Sequence, residues 1–413
     1  MSGFAGKVWT GQPNTRPEVR GNFDRSRAVR FYDTTLRDGE QTVGVVFSPQ
    51  QKLEIASKLD ELGVGRIEAG FPQVSKEDGE AISMILKAGL KHSEIWGFAR
   101  ATRGDVEELV RLGVPATVIE VPISEIKLKA YGISREEAMR RATGAIKLAA
   151  DSGVRVAFFG VDGTRADLDF LKQIYSAAMD AGAEEAVIVD TIGVCTPEAA
   201  EFLVRWVGEW IGKGTPIHWH GHNDFGLGTA AAIAAVRGGA RWIHGTINGM
   251  GERAGNADIA EVALALQCLY DVPVEMNLEK IREVSDVVRR AGKYELEGWK
   301  PLIGDNLFLR ESGAVASQFH IPEAIEPYSA ELVGAKRGIV LGKKSGLDSI
   351  RLKAEELGLD VPDSSRAAVL EAVKRKAVEK GGLLSDDEFR SIVRTCSLLR
   401  AATQPVSPLR GSN

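Results

Sequence analysis

Residues 185–211 read EAVIVDTIGVCTPEAAEFLVRWVGEWI. The opening run, Glu185–Thr191, is apolar and β-branched and ends on two polar residues. Thr196-Pro197 then starts a segment whose apolar residues recur every three to four positions as far as Ile211. A short buried strand, a loop and a capped helix is the reading, since periodicity separates the two element types and Ser/Thr before Pro marks a helix start. The same unit recurs along the chain. Strand-like runs fall at Val29–Thr34, Arg66–Phe71, Glu94–Ala99, Ala116–Pro122, Arg155–Asp162, Pro216–His222 and Trp242–Asn248. Helical spacing fills the gaps, as at Pro49–Leu62, Arg135–Ala150 and Asn256–Leu269, and several segments stop at glycine, as at Gly63, Gly113, Gly153 and Gly182.

Eight such units predict a parallel sheet with crossover helices, and that number favours closure into a (β/α)8 barrel over an open doubly wound sheet. No GxGxxG or Walker loop follows the first strand, which weighs against nucleotide binding. The organisation predicted is an N-terminal arm at 1–28, a barrel at 29–275, an appended, mainly helical region at 276–400 and a tail at 401–413.

Composition narrows the class. The 413 residues are 44% hydrophobic and 26% charged, with net charge −5. This is an ordinary globular chain, and it gives no electrostatic reason to expect nucleic acid or an anionic membrane as partner. Cys195, Cys268 and Cys396 have neither disulfide-scaffold nor metal-ligand spacing, which suggests a reducing compartment. No stretch approaches a membrane span and no signal peptide is evident at the start, so a cytoplasmic location is expected.

In a barrel of this type the site lies at the carboxyl ends of the strands. Strand one runs into Asp33-Thr34-Thr35-Leu36-Arg37-Asp38-Gly39-Glu40-Gln41. Arg37 could hold a carbonyl or enolate oxygen and Asp38 a cation; the alternative is a capped loop with a surface ion pair. Strand seven runs into His218-Trp219-His220-Gly221-His222-Asn223-Asp224, and alternation puts its three histidines on one inward face. His220 and His222, with Asp38, make a two-His, one-carboxylate set with positions left open for substrate. His218 lies deeper and reads as a packing residue. Strand eight runs into Asn248-Gly249-Met250-Gly251-Glu252-Arg253-Ala254-Gly255-Asn256, where Glu252 and Arg253 would brace the loop and Asn256 would cap the next helix or reach the metal. Glu68 and Thr191, at the ends of strands two and six, sit where a substrate would lie or are satisfied rim residues.

DTTLRDGEQ, HGHNDFG and GERAGN, in that order and spacing, resemble the metallolyase-type barrels that include the 2-isopropylmalate, homocitrate and citramalate synthases. The resemblance runs over residues 29–270 and continues more weakly through Glu311-Ser312-Gly313, Glu331-Leu332-Val333-Gly334 and Leu341-Gly342-Lys343-Lys344-Ser345-Gly346. It implies a divalent metal (Zn, Mn or Mg, with Co possible) on Asp38, His220 and His222. It also implies Arg37 on the 2-oxo group or developing oxyanion with Gln41 nearby, Glu68 and Thr191 toward the substrate carboxylate, and Asn256 near the metal. The activity implied is a Claisen-type condensation of an acyl-CoA, acetyl-CoA first, with a 2-oxo acid, in a homodimer or higher homo-oligomer. The alternatives are a metal-dependent carbon–carbon lyase or aldolase acting without acetyl-CoA, and a non-catalytic scaffold.

This chain departs from the family pattern at places that matter for the acyl-CoA half of the reaction. Strand five of the synthases reads like F-S-x-E-D-x-x-R, and here Val161 stands at the Glu. Ala157 and Phe159 stand where homocitrate synthases grip a distal carboxylate, so a small or hydrophobic 2-oxo acid is expected. The His and Tyr of the tail are Val315 and Ile325, with His320 and Tyr328 a few residues on, and the S-D-x-H signature after strand four reads Ser124-Glu125-Ile126-Lys127.

Overall fold

The computed structural model describes residues 6–21 and 23–403. Eight parallel strands close into one barrel in sequence order: β1 (Arg30–Asp33), β2 (Arg66–Glu68), β3 (Glu94–Arg100), β4 (Ala116–Pro122), β5 (Arg155–Val161), β6 (Glu185–Asp190), β7 (Ile217–Gly221) and β8 (Trp242–Gly245). The seam is β1 against β8, with Arg30 beside Trp242 and Asp33 beside Gly245. The α/β barrel expected from the repeating units is therefore the fold of this chain.

Before the barrel, α1 (Pro17–Arg20) is a single turn. The barrel helices are α2 (Pro49–Leu62), α3 (Lys76–Ala88), α4 (Arg103–Leu112), α5 (Glu125–Tyr131), α6 (Arg135–Asp151), α7 (Leu168–Asp180), α8 (Pro197–Trp210), α9 (Gly228–Gly238), α10 (Ile259–Leu269) and α11 (Ile281–Gly292). Local chemistry sets their ends. Ser48 accepts from the Gln51 amide while Gln51 reaches back, a capping box, and Pro49 fills the first helical position. At the other end Gly63 takes φ +88°, a conformation that costs other residues a steric clash.

Inward-facing residues fill the barrel. Tyr32, Trp96, Phe98, Ala116, Val118, Ala157, Phe159, Val187, Val189 and Trp242 form its apolar interior. Near the amino ends of the strands the filling is charged. Arg66 makes a two-pronged pair with Glu185 at 2.5 and 2.8 Å, and its guanidinium lies between the rings of Trp96 and Trp242, at 4.3 and 3.8 Å. A bidentate, ring-sandwiched arginine compensates much of the desolvation that a buried charge pair suffers.

The chain divides into two compact units. The first comprises residues 10–296 with 301–303, so α11, packed on α2, belongs with the barrel although it lies beyond the boundary drawn at 275 from sequence. The second comprises 6–9, 297–300 and the chain from 304. It holds β9 (Leu309–Arg310) paired with β10 (Gly338–Ile339), the single-turn α12 (Gly313–Ala316), and α13 (Leu347–Glu356), α14 (Asp363–Lys380) and α15 (Asp386–Thr403). Its core gathers Ile339, Leu341, Ile350, Val369, Val373 and Phe389. Within it His320 is exposed, and Tyr328 packs on Phe308 and pairs through its backbone with Val8. The arm read as irregular carries the 3-10 turn Gln12–Thr15 as well as α1. Residues 1–5 of that arm, residue 22 and residues 404–413 of the tail lie outside the described residues.

Candidate metal centre and oxyanion site

The loop after β1 is held by a lysine that sequence reading passed over. Lys52 of α2 is buried, and its ammonium binds the Leu36 carbonyl at 2.9 Å, Glu40 at 2.6 Å and Asp78 at 2.6 Å. Asp78 in turn accepts from the Phe71 amide, and Glu40 from the Phe47 amide. Segments 36–47 and 71–78 are thereby fixed around one cation, which sets the backbone that carries Arg37 and Asp38.

Asp38, His220 and His222 converge. Nε2 of His220 lies 3.2 Å and Nε2 of His222 3.6 Å from Oδ2 of Asp38. All three residues are buried, and one ligand atom from each lies within 4.8 Å of the others. Nδ1 of His222 is 3.2 Å from the Gly255 carbonyl. A carbonyl can only accept, so the proton sits on Nδ1 and the Nε2 lone pair faces Asp38. Gly255 can approach so closely because it has no side chain: a Cβ there would collide with the Gly249 carbonyl.

Charge supports the same reading. Burial pushes the Asp38 carboxyl up, but Arg37 and the two imidazoles outweigh it and hold the group well below the usual carboxylate range. Burial pushes both imidazoles down, His222 to about 4 against the pull of Asp38. An ionised carboxylate and neutral imidazoles are the forms that ligate metal. Oδ2 of Asp38 has no hydrogen-bond partner within this structure, though it is buried. A buried carboxylate oxygen faces the lone pair of His222 Nε2 and lies beside Nε2 of His220, whose Nδ1 is buried without a partner, a set of ligand atoms that a divalent cation would satisfy. The residues present fit the ion.

Arg37 stands beside this cluster. Its Nε donates to Glu68 at 2.5 Å, its Nη1 lies 3.5 Å from Asp38, and its guanidinium covers the Phe98 ring at 4.1 Å. Nη2 is buried with no partner. Burial works against the charge, yet Glu68 and Asp38 raise the affinity of Arg37 for its proton above the ordinary value. Glu68 also accepts from the Tyr32 hydroxyl at 3.1 Å and is fully buried, so its contacts orient the guanidinium. One oriented, unengaged N–H in a dry site suits a developing oxyanion.

The remaining expected residues spread around this centre. Thr191 accepts the Asp162 amide on its hydroxyl at 2.7 Å, and its carbonyl receives Arg253 at 2.6 Å. Arg253 also binds Glu252 and Asp224, bracing the loop as expected. Asn256 pairs with His222 through the backbone and donates to the Met250 carbonyl, leaving its Oδ1 buried and unpaired. It does not cap α10, which starts three residues later with Asp258 as cap. Gln41 closes the 3-10 turn Gly39–Gln41 and is exposed. His218 binds Glu185 at 2.5 Å and His244 at 2.9 Å, deeper in the barrel than His220. His244, stacked on Tyr32 with centroids 4.0 Å apart, was not singled out from sequence. Neither was Glu120, whose inward phase on β4 was the available signal. Burial pushes its carboxyl up to about 7.

Known proteins resemble this chain over most of its length. A family model described as HMGL-like matches residues 28–288, and one described as homocitrate synthase post-HMGL domain-like matches 302–381. The 2-isopropylmalate synthase of Methanocaldococcus jannaschii is 41% identical over 372 residues, covering 88% of this chain and 71% of that one. The (R)-citramalate synthase of the same organism is 40% identical over 369 residues, covering 89% and 74%. Among solved structures, an HMG-CoA lyase of Bacillus subtilis superposes with a TM-score of 0.60 at 17% identity, covering 66% of this chain and 96% of that one; at that identity it bears on the fold alone.

Proposed function

The chain belongs to the HMGL-like family, and from that premise we propose that it condenses an acyl-CoA, acetyl-CoA first, with a 2-oxo acid to give a 2-alkylmalate-type acid. The observation that carries the reading is the pairing of an acceptor-rich ligand set (Asp38, His220, His222) with an oriented donor, Nη2 of Arg37, in one buried space. Relatives named as synthases favour condensation over cleavage.

Asp38, His220 and His222 would hold the divalent ion, whose chemistry when bound is Lewis-acid polarisation of the 2-oxo carbonyl. Arg37 donates to the same oxygen as charge grows on it, and Glu68 keeps the guanidinium in that orientation. Asn256 and Thr191 line the space where the substrate carboxylate would rest. The wall beside Arg37 and His220 is aromatic: Phe98 stands edge-on to Phe71 and to Phe159, and Phe159 stands edge-on to His220 with centroids 5.1 Å apart. A second carboxylate against that wall would be desolvated without a partner. Arg100, on the β3 rim, is already engaged by Asp105. The substrate is therefore a small or hydrophobic 2-oxo acid. We extend the reading to a homodimer or higher homo-oligomer, which light scattering at the mass of one chain would overturn.

The test is an NMR time course of metal-loaded protein with a panel of 2-oxo acids, each with and without acetyl-CoA, with free thiol followed in parallel. Thiol release that depends on a 2-oxo acid, with a new alkylmalate-type product, is expected. Solvent deuterium entering a 2-oxo acid without thiol release would replace this reading with a lyase or aldolase.

A further inference from the structure

We propose that Glu120 is the general base of the condensation, the group that takes the α-proton from the acyl-CoA. The inference rests on the condensation reading above.

Strand β4 alternates, and Ala116 and Val118 belong to the barrel interior. Glu120 is next on that inward phase, near the carboxyl end, beside Arg100 of β3 and Phe159 of β5. Its strand lies across the barrel from the β8–β1 seam, whereas the ligand cluster is built from the loop after β1 and from β7. The acyl-CoA methyl has to lie between the carbonyl it attacks and the base that deprotonates it. A base on β4 and an electrophile held from β1 and β7 meet that requirement.

What separates Glu120 from its neighbours is that it is unengaged. Glu68 is tied to Arg37 and Tyr32, and Asp38 to Arg37 and the histidines. Asp33 is tied to Thr35, Asp162 to Ser124 and Arg165, and Asp190 to Thr164 and the Cys195 amide. Asp105 is held by Arg100 and Thr102. Among the described residues no hydrogen bond or ion pair reaches the Glu120 carboxylate. It borders a cavity of about 110 Å³ with Arg100, Tyr131, Arg141 and Val161. The charges that face it are Arg37, Glu68, Arg100 and Asp105, all acting at longer range. A half-buried carboxyl without partners, on the inward phase of β4 near its carboxyl end and within electrostatic reach of Arg37 and Glu68, is placed as a base needs, and burial brings its basicity toward neutrality.

The step balances. Glu120 takes one α-proton, and the C–H pair becomes the enolate. The enolate carbon bonds to C2 of the 2-oxo acid, whose carbonyl pair moves to oxygen, and that alkoxide gains a proton as Glu120 gives one up. Water then cleaves the thioester, leaving a carboxylic acid and free coenzyme A thiol.

Glu120→Gln keeps the shape and removes the basicity. Measured on metal-loaded protein with acetyl-CoA, thiol release should fall about 10²–10⁴-fold. KM for the 2-oxo acid, bound metal and melting temperature should hold. In wild type kcat should rise with pH through about 7 and level off, because the base works deprotonated, and Glu120→Gln should lose that limb. Glu120→Asp, which restores a carboxylate one methylene short, should recover part of the rate. A Glu120→Gln enzyme within a few-fold of wild type, or one that keeps the pH limb, overturns the assignment. Wild-type protein that releases no thiol with any 2-oxo acid removes the condensation itself, a failure visible without any variant.

Discussion

Replacing Arg37 by lysine is the sharpest test of the oxyanion assignment. The guanidinium has three tasks in three directions: Nε on Glu68 at 2.5 Å, Nη1 toward Asp38 at 3.5 Å, and Nη2 free in the site. An ammonium is a point charge and cannot hold the first two while presenting the third. The buried Glu68 keeps a cation in Arg37→Lys, so folding should survive and melting should shift by only a few degrees. The free donor is lost. Loss of one oxyanion donor removes about 3–4 kcal/mol of transition-state stabilisation, so kcat should fall roughly 10²–10³-fold. KM for the 2-oxo acid should change far less, since the bond is strongest when the oxygen carries full charge. Arg37→Ala should add a stability loss of about 3–5 kcal/mol, because Glu68 is left buried and unpaired. Steady-state thiol release and thermal melting of both variants read the two effects apart. An Arg37→Lys enzyme with wild-type kcat would refute the reasoning, and so would one whose loss lies wholly in KM.

The ligand set should bind one divalent ion per chain by elemental analysis, chelation should abolish turnover, and Asp38→Asn should lose the ion while the barrel stays folded by circular dichroism. Glu185, held down to about 2 by its contacts with His218 and Arg66 against burial, stabilises the fold above its unfolded value and loses that contribution as pH falls from about 4.5 to 2. Acid-unfolding curves of Glu185→Gln should therefore lack a pH-dependent contribution on the order of 3 kcal/mol in that window, and unchanged curves would exclude the pairing. For substrate choice, kcat/KM with 2-oxoglutarate should be about 10²-fold below that with pyruvate or a branched 2-oxo acid, the cost of a carboxylate left against Phe98 and Phe159; equal values would place a cation on that wall.

Periodicity and parity made much of this molecule legible. Apolar β-branched runs ending in polar residues located eight strands, and alternation alone placed His218 and His220 on the inward face of β7, with His222 one residue past its end. The same rule reaches Glu120, two residues above Val118, but a single carboxylate in a strand carries no spacing signal until its surroundings show it unpaired. Lys52 was hidden for another reason. It lies on the buried side of an otherwise amphipathic helix, and its partners Glu40 and Asp78 come from separate segments. Of the two readings of Asn256, cap or neighbour of the ligand set, the cap falls away because Asp258, two residues on, takes the helix start and bonds the Ala260 amide. Gln41 adjoins the ligand loop in sequence but ends a 3-10 turn, whose tighter winding carries it to the surface.

The two histidines of β7 and the one that follows it show how depth decides what an imidazole does. His218 and His220 share one face, so the second stands about 6.6 Å above the first along the strand, and His222 follows just past the strand's end. At the lowest level the barrel supplies partners: His218 finds Glu185 on one nitrogen and His244 on the other, and no lone pair is left for a metal. Two residues up, His220 meets a carboxylate on Nε2 only, and two further up His222 gives its Nδ1 proton to a backbone carbonyl and keeps Nε2 open. The lower imidazole is thus used in holding strands together through Glu185 and Arg66, while the upper two each keep Nε2 turned toward Asp38. Removing the ion should leave the lower network intact, because none of its partners belongs to the ligand set. Metal affinity in this chain is on this reading a property of a scaffold already assembled: Glu185→Gln should cost stability and keep the ion, and Asp38→Asn should lose the ion and keep the fold.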